Sequence, residues 1–316
     1  MNLTDRAILI LKGCAMGMAD VVPGVSGGTI AFISGIYEEL INSIKSIDLT
    51  ALKLLLGGKF GAFWSRINGS FLLSVLCGIA IAIFSVAKLM TWLLHRHPIG
   101  IWAFFFGLII ASAVLVYKEV RRWNLACVLA LAAGIAAAAW ITVASPASTP
   151  DQWWFIILSG AIAICAMILP GISGAFILLL MGKYSFIMQA VVDMNIPVLA
   201  LFACGAVAGI ISFSHLLSWL LARHHDLTVS LLMGFMIGAL NKVWPWKEVL
   251  ETYTDSHGAL QPLVERNIAP GRFEALAGTD PQVWQAALLA LAGFGLIIGL
   301  EYLGTAVAAR RAKNAK

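Results

Sequence analysis

Apolar and polar stretches alternate along this chain, and the apolar stretches are long. A helix that crosses the hydrocarbon core of a bilayer needs about 20 mostly apolar residues. Ten segments approach or exceed this length, at 6–20, 27–44, 70–94, 99–117, 124–145, 153–169, 173–192, 196–222, 227–244 and 284–308. The pattern therefore predicts an all-α polytopic membrane protein.

Composition agrees with the pattern. Hydrophobic residues make up 60% of the chain, charged residues only 12%, and the mean hydropathy is +0.91. Because a soluble domain has roughly 25% charged residues, the composition excludes a soluble protein.

Two stretches interrupt the series of apolar segments. Residues 45–69 are amphipathic and contain too many charges to span, which predicts an interfacial helix and loop. Residues 245–283 are polar and contain four prolines, which predicts one extramembrane loop without a soluble domain.

One irregular motif occurs twice, 147 positions apart, inside apolar segments. Its copies are Pro23-Gly24-Val25-Ser26-Gly27-Gly28-Thr29 and Pro170-Gly171-Ile172-Ser173-Gly174-Ala175-Phe176. In hydrocarbon every backbone N–H and C=O needs a partner, so such breaks are tolerated only where protein surrounds them. A break repeated in two halves is the sequence feature that points to a transporter binding site.

The repeat extends beyond the motif. Residues 72–110 align with 199–237 at a constant offset of 127, with 13 of 39 positions identical. One unpaired segment, 124–145, separates the two halves. An odd crossing at this point would turn the second half over, which predicts inverted-topology repeats, each with a re-entrant or broken-helix hairpin that carries the motif.

This interpretation divides the chain into five parts. They are the first repeat at 1–122 (motif 13–38, amphipathic insert 45–69, spans 70–94 and 99–117), an unpaired connecting span at 123–152, the second, inverted repeat at 153–246, an extracytoplasmic loop at 247–283, and a last span with a basic cytoplasmic tail at 284–316.

Positive charge orients the predicted spans. Fourteen Lys and Arg residues fall on one predicted side and five on the other, and most of the five lie in or beside the long loop. Because basic residues favour cytoplasmic loops, we expect both termini to be cytoplasmic. The net charge of +5 is spread over separate loops, which indicates anionic lipid headgroups as partners and no nucleic acid.

The motif residues have the chemistry of an anion site. Pro23, Gly24, Pro170 and Gly171 would break the helices. The N–H groups of a new helix start favour anions. The residues expected to bind a phosphate- or carboxylate-sized group are Ser26, Gly27, Gly28, Thr29, Ser173 and Gly174. The alternative is that both motifs are kinked helix contacts in which small residues pack closely.

Four ionisable residues within or beside predicted spans are candidates for coupling or charge balance: Asp20, Glu38, Lys88 and His215. Interfacial helix ends, snorkelling or a polar helix contact explain several of them equally well. The sequence contains no metal-ligand cluster, and we expect no cofactor and no catalytic residue.

The first motif is part of a longer and more specific string. Gly13-x-x-Met16-Gly17-x-Ala19-Asp20 continues through the motif to Ile30-Ala31-Phe32, and Gly35-Ile36-Tyr37-Glu38 follows. This string and residues 164–174 resemble the polyprenyl-phosphate transporter (PopT-type) family, formerly a membrane family of unknown function. One departure is Ser185, where a second Tyr-Glu pair would mirror Tyr37-Glu38.

The resemblance implies a flippase for undecaprenyl phosphate in the bacterial cytoplasmic membrane. Such a protein would return the lipid carrier of cell-wall building blocks from the outer to the inner leaflet, with alternating access to a phosphate site near the midplane. The lipid is the implied partner, and the sequence leaves open whether the protein forms a homo-oligomer.

Two other functions remain open. The motif also resembles the Pro-Gly-x-Ser-Arg-Ser string of integral-membrane undecaprenyl-pyrophosphate phosphatases. Here Gly27 or Gly174 stands at the Arg position, and no Glu-x-x-x-Glu pair lies near either motif. Because phosphoryl transfer needs strong stabilisation of developing charge, we expect a transporter and not an enzyme. The third function is that of an ion-coupled small-anion transporter.

Overall fold

The computed structural model describes residues 3–21, 26–144, 149–254 and 260–314, and helices make up most of them. In the first half the helices are α1 (Leu3–Val21), α2 (Gly27–Ile33), α3 (Tyr37–Lys45), α4 (Leu49–Leu56), α5 (Phe60–Arg66), α6 (Gly69–Arg96), α7 (Pro98–Glu119) and α8 (Leu125–Val143). The remaining elements are α9 (Trp153–Ile168), α10 (Gly174–Leu180), α11 (Tyr184–Val192), α12 (Ile196–Arg223), α13 (His225–Ala239), β1 (Lys247–Thr254), β2 (Leu260–Asn267), α14 (Pro270–Ala277) and α15 (Val283–Asn314).

Several helices are long and apolar enough to cross a membrane. Within the described residues, α7, α8 and α12 meet this condition alone. Two bent pairs meet it together, α5 with the first part of α6 at 70° and α10 with α11 at 113°. The helices α9, α13 and the first part of α15 are apolar but shorter. These elements make the chain a multi-pass membrane protein.

Helix contacts in the first half recur in the second. In the α1–α6 contact, Gly13 lies against the carbonyl of Val75, and Gly78 lies against the carbonyl of Ile10. In the α9–α12 contact the same geometry joins Gly160 to Phe202 and Gly205 to Ile157. A side chain at any of these glycines would overlap the facing backbone. The partners are related by the two sequence offsets of 147 and 127, so the duplication extends to the packing.

The last helix of each repeat, α7 or α13, packs on a helix that lies outside that repeat. The α7 helix packs on α15 through Gly107, which lies against the carbonyl of Ala290. The α13 helix packs on α8 through Gly234, which lies against the carbonyl of Leu131. The helix α8, predicted as the unpaired connecting span, follows the first repeat and packs on the second. The helix α15, predicted as the last span, follows the second repeat and packs on the first. The two helices therefore hold equivalent places, and each repeat is covered by the helix that follows the other.

The amphipathic stretch 45–69 forms two short helices, α4 and α5. Asp48 caps α4, where its carboxylate accepts from the Ala51 N–H at 2.8 Å, and it also accepts from Arg66 Nε at 3.1 Å. Leu56 and Phe60 are exposed on their surface. An exposed apolar surface beside charged groups is typical of helices at a membrane interface.

The polar stretch 245–283 is not a simple loop. The strands β1 and β2 form an antiparallel two-stranded sheet, and α14 follows. The all-α prediction is therefore wrong in this stretch. Pro262, which argues against a strand, lies opposite Thr252. In a two-stranded sheet each strand has one free edge, and there a missing N–H costs nothing.

A buried charge cluster links the hairpin to the helices. Glu265 Oε2 accepts from Lys242 Nζ at 2.8 Å and from Lys247 Nζ at 3.3 Å. Lys247 Nζ also lies 4.1 Å from the centroid of the Trp102 ring. Burial lowers the pKa of Lys247 to about 8, although Glu265 opposes this shift. Two ammonium groups thus share one carboxylate.

The cluster gives a stability prediction with a defined sign. Glu265→Gln removes the shared counter-charge, and we expect a loss of about 3 kcal/mol in the free energy of unfolding. Lys247→Met leaves the Lys242–Glu265 pair and is expected to be neutral or stabilising at pH 7. Because the folded-state pKa of Lys247 lies below the ordinary lysine value of 10.5, its contribution to wild-type stability should rise between pH 8 and 10.5.

Thermal unfolding of the solubilised protein across this pH range measures both effects. The rise should flatten in the Lys247→Met variant. Glu274→Gln, at an exposed position of α14, is the matched control and should melt with the wild type. A Glu265→Gln protein as stable as that control would contradict the charge sharing.

Candidate functional site

The two motif regions contact each other directly. The hydroxyl of Ser26 donates to the carbonyl of Met167 at 3.0 Å. The Gly171 N–H donates to Thr29 Oγ1 at 2.9 Å. Ser26 and Thr29 are both buried. Two hydrogen bonds thus join residues that lie more than 140 positions apart in the chain.

We call the contact between Ser26 and Thr29 on one side and Met167 and Gly171 on the other the joint. A third hydrogen bond strengthens it. Tyr37, the first residue of α3, is 3% exposed, and its hydroxyl donates to the carbonyl of Ile168 at 3.1 Å. Tyr37 is not among the site residues predicted from the sequence. The signal for it was present, because Gly35-Ile36-Tyr37 matches Gly182-Lys183-Tyr184 at the motif offset.

Glycine is required at two positions of the joint. A Cβ on Gly28 would overlap the backbone carbonyl of Ile168, so α2 approaches the end of α9 more closely than a side chain permits. Gly171 has a φ of +87°, which L side chains rarely adopt, and a Cβ there would lie 2.8 Å from the carbonyl of Phe235.

A carboxylate of the protein lies at the start of α2. The Gly27 N–H donates to Asp20 Oδ1 at 2.7 Å, and the Gly28 N–H donates to Ser26 Oγ at 3.1 Å. The first N–H groups of this helix are therefore bonded within the protein. A negative charge at this position is favourable because the N–H groups carry partial positive charge.

The serine of the second motif also precedes a short helix, but the chemistry around it differs. Ser173 precedes α10 and is 8% exposed, and its side chain makes no cap hydrogen bond. Gly174 packs against the carbonyl of Ala163, 2.6 Å from where its Cβ would lie. At the motif offset, Met167 stands where the first half has Asp20. The carboxylate is therefore present in one half only.

A cavity of about 380 Å³ adjoins the first motif. Its polar end consists of Asp20, Gly27, Gly28 and the Tyr37 side chain. The rest of its wall is apolar and comes from Met16, Leu40, Ile44, Ile47, Leu72, Val75, Leu76, Ile79, Met167, Ile168, Val207, Ile210 and Ile211. Such a space fits a ligand with a small polar group and a hydrocarbon body.

Glu38 and His215 do not join Asp20. Glu38 is largely exposed, and its Oε1 lies 3.6 Å from His225 Nε2. His215 is exposed on α12, with Nδ1 2.9 Å from the carbonyl of Ile211 in its own helix. The side chain of Lys88 lies outside the described residues, although its backbone belongs to α6.

The helix-breaking residues Pro23 and Gly24 lie outside the described residues. Within the ranges that the structure describes, no three His, Cys, Asp or Glu side chains are grouped to hold a metal ion.

Known proteins are similar to this chain over most of its length. The family model described as "VCA0040-like: Undecaprenyl phosphate translocase-like" matches residues 16–261. A Polyprenyl-phosphate transporter of Vibrio cholerae is 48% identical over 291 residues, which cover 92% of this chain and 94% of that protein. A Polyprenyl-phosphate transporter of Staphylococcus aureus is 35% identical over 256 residues, or 75% and 86% of the two chains. No solved structure matches significantly. This chain therefore belongs to the undecaprenyl phosphate translocase-like family.

Proposed function

We propose that this protein translocates a polyprenyl monophosphate across the bacterial cytoplasmic membrane without changing it chemically. The observation that carries the proposal is the joint between the two motifs beside the 380 Å³ cavity. A polar end beside aliphatic walls suits an anionic headgroup on a hydrocarbon tail, once the donors at that end exchange their present partners for the headgroup. The names of the two relatives supply the lipid class.

In this proposal the headgroup phosphate binds to Ser26, Gly27, Gly28, Thr29, Ser173 and Gly174. Backbone N–H groups and hydroxyls would spread its charge over several short hydrogen bonds. The Gly27 N–H now serves Asp20 Oδ1 at 2.7 Å. Because one N–H cannot hold two anions at full strength, loading would require the Asp20 carboxylate to leave. This exchange makes Asp20 the first candidate for coupling or charge balance.

The proposed route is alternating access between two inverted repeats. The matched glycine contacts of the α1–α6 and α9–α12 pairs support a duplicated unit. The asymmetry of Lys and Arg along the sequence supports cytoplasmic termini. With this orientation, a phosphate bound at the joint would pass between the leaflets when the halves rock against each other, as recycling of the carrier requires.

The cavity wall favours this function over the two alternatives. Among the described residues that line it, none is Lys, Arg or His. A phosphatase would need cationic groups to stabilise the transferring phosphoryl group. A carrier of small soluble anions would have no use for the aliphatic walls. The lipid phosphate uses both ends of the cavity.

Purified protein in proteoliposomes tests the proposal. Undecaprenyl phosphate should move between the leaflets in a saturable way, with and without an imposed pH gradient as separate arms. The same protein receives undecaprenyl pyrophosphate in parallel. Release of inorganic phosphate from the pyrophosphate, or transfer of the monophosphate no faster than in protein-free vesicles, would overturn the proposal.

A further inference from the structure

Besides residues of α1, α2 and α9, three further helices contribute to the wall of the cavity beside the first motif. Leu40 and Ile44 come from α3, Leu72 and Ile79 from α6, and Ile211 with its neighbours from α12. Away from the motif these side chains are aliphatic. The polar residues are confined to one end, so the cavity leads from a polar end beside the motif into an apolar remainder.

Exposure differs among the lining residues. Tyr37, whose hydroxyl reaches the end of α9, is 3% exposed. Leu76 of α6 and Val207 of α12, which also line the cavity, are 59% and 57% exposed. The cavity therefore opens on the apolar outer surface of two helices, which in a membrane faces lipid.

The opening lies between two separately packed helix pairs. The α6 helix packs mainly on α1, and α12 packs mainly on α9. Because the main packing partners of α6 and α12 are α1 and α9, a chain from the bilayer can enter between α6 and α12 without breaking either pair.

We infer that this cavity is the tail subsite, where the first isoprene units of the polyprenyl lipid lie while its phosphate is at the joint. The inference rests on the proposed function. The phosphate ester joins the headgroup to the first isoprene unit, so the tail must leave the phosphate site through adjoining apolar space. The polar end of the cavity contains Gly27 and Gly28, which belong to that site.

The volume decides how much of the tail enters. At about 380 Å³ the cavity is near the lower end of small-ligand pockets, which range over about 300–1,000 Å³. Only the proximal units fit, and the remainder extends through the opening into the bilayer. Because the tail exchanges hydrocarbon for protein, close packing and not the hydrophobic effect selects it.

Photocrosslinking locates the tail directly. One undecaprenyl phosphate probe carries a diazirine in the first isoprene unit, and a second carries it in the last unit. After irradiation in proteoliposomes, mass spectrometry maps the labelled residues. The proximal probe should label Leu40, Ile44 and Ile211, and excess undecaprenyl phosphate should remove this label. The distal probe should label lipid-facing positions.

Cavity-filling variants supply the specificity control. Ile79→Trp and Ile211→Trp place an indole in the cavity and should reduce the proximal label at least about tenfold. Ile81→Trp, at an exposed position of the same helix as Ile79, should leave the label unchanged. Equal loss in all three variants would overturn the inference.

Three further outcomes separate this inference from the proposed function. If transport persists and the proximal probe labels only the outer surface, the tail subsite is wrong and the transporter stands. If phosphatidic acid with two acyl chains removes the label as well as undecaprenyl phosphate does, the cavity is an ordinary phospholipid site and the inference fails. Absence of both transport and labelling removes both.

Discussion

Gly27→Leu is expected to reduce translocation to background while the protein remains folded. The three atoms nearest to a Cβ at Gly27 all belong to the carboxylate of Asp20, with Oδ2 at 2.5 Å, and this is the end of a side chain that can rotate. The rest of the leucine side chain would enter the 380 Å³ cavity. There it would displace Asp20 and occupy the proposed position of the phosphate.

Initial rates of undecaprenyl phosphate transfer in proteoliposomes measure the loss, and size exclusion with thermal unfolding checks the fold. Gly271→Leu is the matched control, because a Cβ at that glycine of α14 meets no atom within 4 Å. This control should transport at the wild-type rate. A Gly27→Leu protein with full activity would remove the first motif from the phosphate site.

Unlike Gly27→Leu, Gly28→Ala should substantially lower the stability of the fold. Its Cβ would overlap the backbone carbonyl of Ile168, and the Met167 carbonyl would lie 3.1 Å away. Backbone atoms cannot rotate away, so α2 must separate from the end of α9. Overpacking of this kind costs about 1–3 kcal/mol. Transport should fall as well, because the hydrogen bond from Ser26 to Met167 is lost with the contact.

The neighbouring glycine supplies the comparison. Gly27→Ala adds the same methyl group against the mobile carboxylate of Asp20, so its melting temperature should stay close to the wild type. Gly28→Ala should melt several degrees lower. Equal melting temperatures in the two variants would mean that the joint between α2 and α9 is not close-packed in solution.

The sequence predicts the helices well because apolar length and end signals are local. The segment expected at 70–94 is α6, Gly69–Arg96, and the segment expected at 196–222 is α12, Ile196–Arg223. Both 28-residue helices have long apolar runs, and both end at an arginine followed by histidine. The predicted segments 27–44 and 173–192 each contain two helices, because turns at Ser34–Ile36 and Met181–Lys183 interrupt them.

The partners in the site could not be predicted in the same way. The contact between Ser26 and Met167 joins positions 141 residues apart, and it uses a backbone carbonyl that any residue supplies. Tyr37 reaches Ile168 in the same manner. Asp20 was identified as a charged candidate, but its bond to Gly27 depends on how α2 packs against α1, which composition does not encode.

The hairpin β1–β2 shows another limit of pattern reasoning. Pro262 and the surrounding charges favour a loop in any local analysis. The strands form because Trp246 and Ile268 pack on Ile99, Ala103 and Ala286 of two distant helices. Tertiary contacts of this type override local preference.

The exchange of α8 and α15 has a consequence for how the chain can be assembled. Gly107 of α7 finds its partner near the C-terminus, and Gly234 of α13 finds its partner near the middle of the chain. Each half therefore covers one closely packed helix face with a helix from the other. The arrangement is that of a domain-swapped dimer joined into one polypeptide. A chain cut between α8 and α9 should be recovered only when both fragments are made together, since each fragment alone exposes a helix face shaped for a partner it does not contain.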